Sequence, residues 1–299
     1  KKTKSILNTI VTSEGLNGTI YGKKAGFFKT STDFNDALKD DTDIVVIATQ
    51  HNLHAKQIIA ALKANKHVFV EKPLALNLAE IDEIEEQYNE SNSHLMVGYN
   101  RRFSPLVKKT KELLKNKLMP KVFVMTMNAG KIPADHWTQN PTIGGGRIIG
   151  EACHYVDLMR FLANSEIVNY QINQIGDSNY DDVTSDKSII TLQFRDGSLG
   201  TINYLANGGK AFPKERIEIF CDDAVLQLNN FKSLKGYGWK GFKSMNLLSQ
   251  DKGQKECCAS FIESIKEGTH ATIPSSEIFE VARVTVNLVQ KSPDLVKND

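Results

Sequence analysis

Short apolar runs alternate with amphipathic helical stretches through the first hundred residues of this chain. Such alternation predicts parallel strands joined by right-handed helical crossovers. The run at residues 44–48 is apolar throughout, which is typical of a parallel strand covered by helices on both faces. We therefore predict a doubly wound α/β domain. The predicted strands are residues 7–12, 43–49, 67–71 and 94–98, with a short one near Phe28, and the predicted helices are residues 17–24, 34–39, 54–64 and 78–89.

The pattern changes near residue 120 to longer strands with period-two alternation. Arg195-Asp196-Gly197 lies between two such runs and predicts a hairpin, and Asp222-Asp223 predicts another. We expect one domain over residues 1–120 and a second, α+β domain over residues 121–299 with an open, mostly antiparallel sheet. The predicted strands are residues 121–128, 167–175, 188–194, 198–205, 216–221 and 224–228, the predicted helices are residues 150–162, 255–266 and 277–289, and residues 236–241 are the predicted flexible loop.

The charge pattern argues against nucleic acid and membrane partners. The chain has 37 Lys and Arg against 35 Asp and Glu, and the two signs are interspersed, so there is no basic footprint. The apolar runs are much shorter than the roughly 20 residues of a membrane helix. Four cysteines with no C-x-x-C pair predict neither a disulfide framework nor a structural metal site. We expect a cytoplasmic protein whose partner is a small molecule.

Glu71-Lys72-Pro73 directly follows a predicted apolar strand. The carboxyl ends of parallel strands border the ligand crevice of such sheets, so a lysine there is placed to hydrogen-bond a substrate hydroxyl and relay its proton. The alternative is a solvated Glu-Lys pair at the mouth of a loop.

Three glycines, residues 144–146, precede a predicted helix that carries Glu151, His154 and Asp157 at three-residue spacing. The glycines permit close approach of the backbone to a ligand. The spacing predicts one helical face on which His154 is a general base and the two acids orient it. The alternatives are a charged surface stripe and a zinc site, and the latter lacks an evident fourth ligand.

Four segments together resemble the glucose-fructose oxidoreductase, inositol dehydrogenase and rhizopine catabolism (Gfo/Idh/MocA) family. They are Thr49-Gln50-His51-Asn52-Leu53-His54-Ala55, the run from Lys66 to Ala75 around Glu71-Lys72-Pro73, Gly98-Tyr99-Asn100-Arg101-Arg102-Phe103, and the three glycines with His154 and Asp157. The chain is most similar to the oxidoreductase half of bi-domain bacterial proteins, which are associated with surface polysaccharide synthesis.

The resemblance implies a Rossmann-like first domain and an NAD(P)-dependent oxidation or reduction of a secondary alcohol on a sugar, nucleotide-sugar or cyclitol. It implies that Lys72 and His154 are catalytic, and we assign Glu151 as the acid that orients His154, because the family's usual aspartate is replaced by Gly150. The implied cofactor contacts are Ser13, Thr49, His51, His54, Glu71, Asn100 and Arg101. The implied substrate contacts are Lys72, Arg101, Asp157 and Lys214, the last toward an acidic or phosphorylated sugar unless it is a solvated strand edge.

The family's first strand and G-x-G-x-x-G turn have no counterpart before residue 7. We therefore expect an N-terminally truncated dinucleotide domain that binds the cofactor poorly. Glu14 stands where the adenosine ribose is read, and its carboxylate would repel a 2′-phosphate, which favours NAD over NADP.

Two other interpretations remain open at this point. A non-catalytic dinucleotide-binding or sugar-binding sensor fits the absence of the aspartate and of the glycine turn, and a structural scaffold fits an inactive half-domain. Retention of both Lys72 and His154 favours the enzyme, since a pure binder needs no proton relay. The resemblance also implies a homo-oligomer that pairs through the open sheet face.

Overall fold

The computed structural model describes residues 3, 5–39, 41–175, 183 and 185–290. The first region contains short parallel strands and the helices between them. Its elements are β1 (Thr9–Val11), α1 (Gly15–Ala25), β2 (Lys29–Ser31), β3 (Ile44–Ile47), α2 (His54–Lys63), β4 (His67–Val70), α3 (Leu78–Asn89), β5 (Leu95–Val97) and α4 (Pro105–Leu114). No helix in the part of the chain that the structure describes is long and apolar enough to cross a membrane.

Strands β3, β4 and β5 form one parallel sheet, with Val45 opposite Val68 and Val68 opposite Leu95. The expectation of a Rossmann-like parallel sheet is confirmed. The sheet forms because β4 is buried on both faces, covered by apolar residues of α2 such as Ile58 and Leu62. Its carboxyl ends therefore present residues 48–54, 71–73 and 98–103 at one edge.

Strands β1 and β2 form a separate two-stranded parallel sheet. Within the described residues, β1 does not pair with β3, so each has an unpaired edge on this side. Several apolar side chains near this gap are exposed, among them Leu16, Ile20 and Val46. A missing first strand and the domain limits at residues 120 and 121 stay predictions.

The local signals that start the helices are borne out at α3. Asn77 Oδ1 accepts a hydrogen bond from the Glu80 amide at 2.9 Å, as an N-cap should. Glu80 Oε2 accepts in return from the amide of Leu76, one residue before the predicted partner. Residues 34–39, predicted as a helix, form a 3-10 turn at Phe34–Leu38, and α4 was not predicted.

The second region is an eight-stranded sheet with helices packed on one face. Its elements are β6 (Val122–Asn128), α5 (Cys153–Ala163), β7 (Ile167–Gln174), β8 (Lys187–Phe194), β9 (Leu199–Leu205), β10 (Glu215–Cys221), β11 (Ala224–Asn229), β12 (Ser233–Tyr237), β13 (Ser244–Asn246), α6 (Gln254–Lys266) and α7 (Ser275–Gln290). The strand order is β13-β12-β11-β10-β6-β9-β8-β7, and only the β6–β9 pair is parallel. The mostly antiparallel sheet is confirmed.

The loop predicted at residues 236–241 is partly wrong, because Gly236 and Tyr237 belong to β12. Gly236 is a strand residue that leaves room for an aromatic side chain: a Cβ there would lie 2.7 Å from Phe242 Cδ1. Glycine obscures the period-two alternation, so the sequence alone indicated a loop where the structure has a strand.

The helix predicted at residues 150–162 is interrupted at its start. Residues Ile148–Ala152 form a π-turn, and α5 follows from Cys153. A π-turn inserts extra backbone per turn and rotates the residues before it relative to those after it. The prediction that Glu151 shares one face with His154 and Asp157 is therefore wrong, whereas His154 and Asp157 keep their three-residue spacing within α5.

Charged residues join the two regions through α7. Arg102, in the turn after β5, pairs with Asp157 of α5 and with Glu277 of α7, and Arg160 pairs with Glu280 at 2.8 Å. We call these five residues the interface cluster. They set the position of α5 relative to the parallel sheet.

Candidate active site

Lys72 follows β4 at the carboxyl edge of the parallel sheet. Its Nζ donates a hydrogen bond to the carbonyl oxygen of Gly150 at 2.6 Å. The lysine thus reaches from the first region to the π-turn of the second, four residues before His154. No carboxylate of the described residues forms an ion pair with this ammonium group.

His154 lies in the first turn of α5 and is 6% exposed. Its Nδ1 is buried and has no hydrogen-bond partner. Burial lowers the pKa of His154 well below 6.5, and the positive charges of Arg101, Lys72 and Lys252 lower it further. The imidazole is therefore neutral near pH 7, and one of its two ring nitrogens carries no proton.

Glu151 does not orient His154, which corrects the predicted role. Its Oε2 accepts hydrogen bonds from Arg147 Nη2 at 2.8 Å and from the Tyr204 hydroxyl, while Lys214 Nζ lies 3.5 Å from Oε1. Burial alone would raise the pKa of Glu151, but the bonds from Tyr204 and Arg147 and the nearby charge of Lys214 lower it to about 2. The π-turn directs this carboxylate toward the sheet and away from the imidazole.

Asp157 does not contact substrate either. It is 0% exposed, and both carboxylate oxygens accept from Arg102 Nε, at 2.8 and 2.9 Å. Burial raises the pKa of Asp157 to about 6, against the opposing effect of Arg102. An acid so enclosed acts in packing, so its assignment as a substrate residue is wrong.

The segment after β3 lies beside this centre. The hydroxyl of Thr49 donates to Gln57 Oε1 at 2.7 Å and is exposed. His51 Nδ1 donates to the Gly144 carbonyl at 2.7 Å, its ring meets Trp137 edge-on, and burial lowers its pKa to about 4. Thr49 and His51 therefore border the crevice, where they were predicted to hold the cofactor.

His54 is fully buried, so its predicted cofactor contact is wrong. Its Nδ1 lies 2.7 Å from the carbonyl of Pro73 and its Nε2 3.2 Å from that of Thr49. The imidazole therefore connects the loops after β3 and β4 and helps to position Lys72.

The other predicted cofactor residues lie at the same edge of the two parallel sheets. Ser13 is exposed directly after β1. The Glu71 carboxylate packs against Gly98, where a Cβ would be 3.0 Å from Oε2, and this loss of water raises the pKa of Glu71. Asn100 Nδ2 donates to the carbonyl of Lys252 at 2.7 Å. Their cofactor roles remain predictions.

Arg101 is placed differently from the prediction. It is 6% exposed, and its Nη2 donates to Glu215 Oε1 at 2.8 Å and to the Tyr155 hydroxyl at 3.3 Å. The guanidinium therefore acts on His154 by its charge and supports Tyr155, the next residue in α5. Lys214, by contrast, is at the rim, with a side chain 48% exposed.

Sequence reasoning did not identify Lys252 as a site residue. It lies in the loop before α6, and its ammonium forms an ion pair with Oε2 of the fully buried Glu215. No spacing or motif connects residue 252 with residues 101 and 215, so only the folded chain brings these three together. The one sequence feature that pointed toward this cluster was the position of Glu215 next to Lys214, which was already a candidate site residue.

Gly150 stands where the family that the sequence resembles usually has an aspartate, and the structure gives a reason why glycine fits here. A Cβ at this position would lie 3.0 Å from Cε1 of His51. The His51 ring thus occupies the space that a side chain would need. Gly144 has a similar role, since a Cβ there would lie 2.4 Å from the Thr138 backbone, so this glycine serves packing of the loop.

The parallel sheet, its crevice at the carboxyl edge and the adjoining open sheet define a two-part, Rossmann-like nucleotide-binding class of protein. Comparison with known families makes this specific. Residues 20–99 match the model of the Gfo/Idh/MocA oxidoreductase family, NAD-binding Rossmann fold, and residues 107–227 match the Gfo/Idh/MocA C-terminal domain. The chain belongs to the Gfo/Idh/MocA family.

Curated relatives include two inositol dehydrogenases. Myo-inositol 2-dehydrogenase of Thermotoga maritima is 30% identical over 221 residues, 70% of this chain and 64% of that protein. The NAD(+)-dependent scyllo-inositol 2-dehydrogenase of Bacillus subtilis is 29% identical over 60% of this chain and 54% of its own length. The matched part is thus less than two thirds of either relative.

A solved structure supports the fold. Levoglucosan dehydrogenase in complex with NADH and levoglucosan superimposes with a TM-score of 0.84, covering 95% of this chain and 87% of that one at 21% identity. At this identity the similarity establishes the architecture.

Proposed function

We propose that the protein is an NAD(P)-dependent oxidoreductase that transfers hydride between a nicotinamide and a secondary alcohol of a sugar, nucleotide-sugar or cyclitol. The observation that carries the proposal is that Lys72 is hydrogen-bonded to the π-turn directly before the helix that begins with Cys153 and His154. Lys72 binds the carbonyl of Gly150 at 2.6 Å, and His154, four residues on, has a buried nitrogen without a partner. The names of the inositol and levoglucosan dehydrogenases support the class of substrate.

The residues of the crevice fit the nicotinamide end of a dinucleotide. Glu71, Thr49 and Asn100 lie at the carboxyl edge of β3, β4 and β5, where such sheets bind nucleotides. Ser13 and Glu14 follow β1 and fit the adenosine ribose, and the acid at Glu14 favours NAD over NADP. A bound nicotinamide supplies the carbon that accepts or donates hydride.

Lys72 and His154 divide the proton chemistry. In the oxidative direction the imidazole of His154 accepts the hydroxyl proton, and it is able to do so because burial lowers its pKa and leaves it uncharged. The Lys72 ammonium has three N–H groups and gives one to Gly150, so it donates another to the same substrate oxygen. That hydrogen bond stabilises negative charge developing on the oxygen.

Replacing Lys72 tests the mechanism. Lys72→Met removes the ammonium and should lower kcat/KM by about 100-fold or more, because a positioned proton-transfer group contributes about that much. The measurement is the change in absorbance of the reduced nicotinamide when the protein is mixed with NAD and each member of a panel of inositols, anhydrosugars and nucleotide-sugars. Lys63→Met, at the exposed end of α2, is the matched control and should keep full activity. Near-normal turnover of Lys72→Met would remove the lysine from the mechanism.

We further propose a homo-oligomer that pairs through the open sheet face. Three exposed apolar residues form a row across neighbouring strands, since Val122 of β6 lies opposite Phe220 of β10 and Leu199 of β9. Val122→Lys should shift the assembly toward monomer in sedimentation equilibrium, because a second copy would bury the charge. An unchanged mass would contradict pairing through this face.

The cellular setting is also a proposal. Cys153, Cys221 and Cys257 are buried free thiols, which suits a reducing cytoplasm. A role in surface polysaccharide synthesis has its support in the resemblance to the bi-domain proteins.

A further inference from the structure

Glu215 is a single buried carboxylate shared by two cations. It is 0% exposed, and its Oε1 accepts from Arg101 Nη2 at 2.8 Å and Nε at 3.2 Å and from the Tyr155 hydroxyl. Its Oε2 contacts the Lys252 ammonium. Arg101 alone would neutralise this acid, so Lys252 brings positive charge in excess.

The excess extends to Lys72. We call Lys72, Arg101, Lys252 and Glu215 the cationic cluster, because all three cations act on the neutral His154. Even with Glu71 included, three cations face two carboxylates. Asp157 does not compensate, since Arg102 holds both of its oxygens. Uncompensated charge in a partly buried site is costly, and an incoming anion would relieve it.

Lys252 is held beside the turn that follows β5, and its side chain is partly exposed. Asn100 Nδ2 donates a hydrogen bond to the carbonyl oxygen of Lys252 at 2.7 Å. At the next residue, Gly253, a Cβ would lie 2.5 Å from the carbonyl oxygen of Asn100. The loop is therefore pressed against the turn that follows β5. The Lys252 side chain remains 17% exposed, whereas Glu215 has no exposed surface. A ligand can then approach the Lys252 side chain, but it cannot reach the buried carboxylate of Glu215.

We propose that the substrate carries an anionic group, a carboxylate or a phosphate, and that Lys252 is the specificity-determining residue that binds it. This inference rests on the proposed function for the identity of the reacting group, an alcohol of a sugar or cyclitol. It adds that a ring with a charged substituent is preferred over its neutral counterpart. The acid charge balances the cationic cluster and offsets the positive charge that His154 acquires when it takes the hydroxyl proton.

The test is binding of a matched pair, D-glucuronate and D-glucose, which differ at C6 by a carboxylate against a hydroxymethyl group. Titration calorimetry on the full chain, with and without NADH, should show about tenfold or stronger binding of glucuronate, the size of one charge-assisted hydrogen bond. D-glucose 6-phosphate distinguishes a phosphate from a carboxylate preference. Equal affinity for the charged and neutral sugars would overturn the inference.

Variants identify the residue. Lys252→Met should abolish the preference, and it should fold because Glu215 keeps Arg101 and Tyr155. Lys252→Arg keeps the charge and should keep the preference. Lys108→Met is the control, since this lysine is half-exposed and pairs with Glu256 on the surface. A preference that survives in Lys252→Met overturns the assignment, as does one that disappears when NADH is bound, because the anion site would then belong to the cofactor.

Binding and turnover separate this inference from the proposed function. An anion preference without oxidation of any alcohol would contradict the dehydrogenase and leave the anion site standing. Oxidation of neutral sugars at equal affinity would support the dehydrogenase and contradict the anion site.

Discussion

The interface cluster and the cationic cluster both consist of buried or partly buried cations and carboxylates, but they differ in how those charges are paired. In the interface cluster, Arg102 has Asp157 and Glu277 as partners, and Arg160 has Glu280. In the cationic cluster, Arg101 and Lys252 share Glu215, and Lys72 is hydrogen-bonded to a carbonyl without an ion pair to any of the described residues. Consecutive residues, 101 and 102, thus serve different purposes. Every charged group of the interface cluster has an ion-pair partner, and this cluster maintains the fold. The cationic cluster has an excess of positive charge beside the neutral imidazole of His154, and this excess favours the binding of an anionic ligand.

The largest expected effect on stability is at Asp157. Asp157→Asn leaves Arg102 buried with only Glu277, and breaking a buried pair costs about 3 kcal/mol or more of unfolding free energy. Urea unfolding followed by circular dichroism measures it. A loss below about 1 kcal/mol would mean that the interface cluster is not what holds α5, and the comparison would fail.

A smaller effect is expected from pH at His154. The unfolded chain takes a proton near pH 6.5, whereas the folded imidazole takes one only at lower pH. Stability that His154 provides above pH 6.5 is therefore lost as the pH falls toward its folded pKa. Relative to His154→Gln, the unaltered protein should lose up to about 1.4 kcal/mol per pH unit below 6.5. Denaturant curves at pH 7.5, 6.5 and 5.5 test this, and parallel trends would show that the imidazole is not held neutral.

The smallest expected effect is at Lys252. Lys252→Met should change the unfolding free energy by less than about 1 kcal/mol, because Arg101 still neutralises Glu215 and an excess charge is removed. The same urea curves apply, with Lys108→Met as the surface reference. A loss as large as that of Asp157→Asn would place Lys252 among the residues that maintain the fold.

Much of the fold was predictable because it depends on local patterns. Helix α3 begins and ends where the cap and the spacing place it, at Leu78 and Asn89. Strand β4 extends over His67–Val70 within the predicted run. Strand β12 and the edge strand β13 were not predicted, because short, half-exposed strands have weak alternation.

The site was only partly predictable. Lys72 was evident because a charged residue at the carboxyl end of a buried strand lies in the crevice whatever the remaining fold is. The partners of Glu151 and Asp157 were not, because a π-turn rotates one acid relative to the other, and because Tyr204, Lys214 and Arg102 are distant in sequence from the acids they contact. His54 looked like a cofactor contact, yet burial between two loops makes it a support.

The residues alone predicted the parallel sheet and the position of Lys72 at its carboxyl edge, because strand burial acts over short stretches of chain. They also indicated His154 as a candidate proton acceptor, and this role stays a proposal. Tertiary structure decided which acid each cation meets. More than a hundred residues separate Arg101 from Lys252 in sequence. The two cations contact the same carboxylate, that of Glu215, only after the sheet, α6 and the turn after β5 have packed together. Electrostatic energy depends on the distance between charges and on their burial, and the order of residues in the sequence determines neither of these locally.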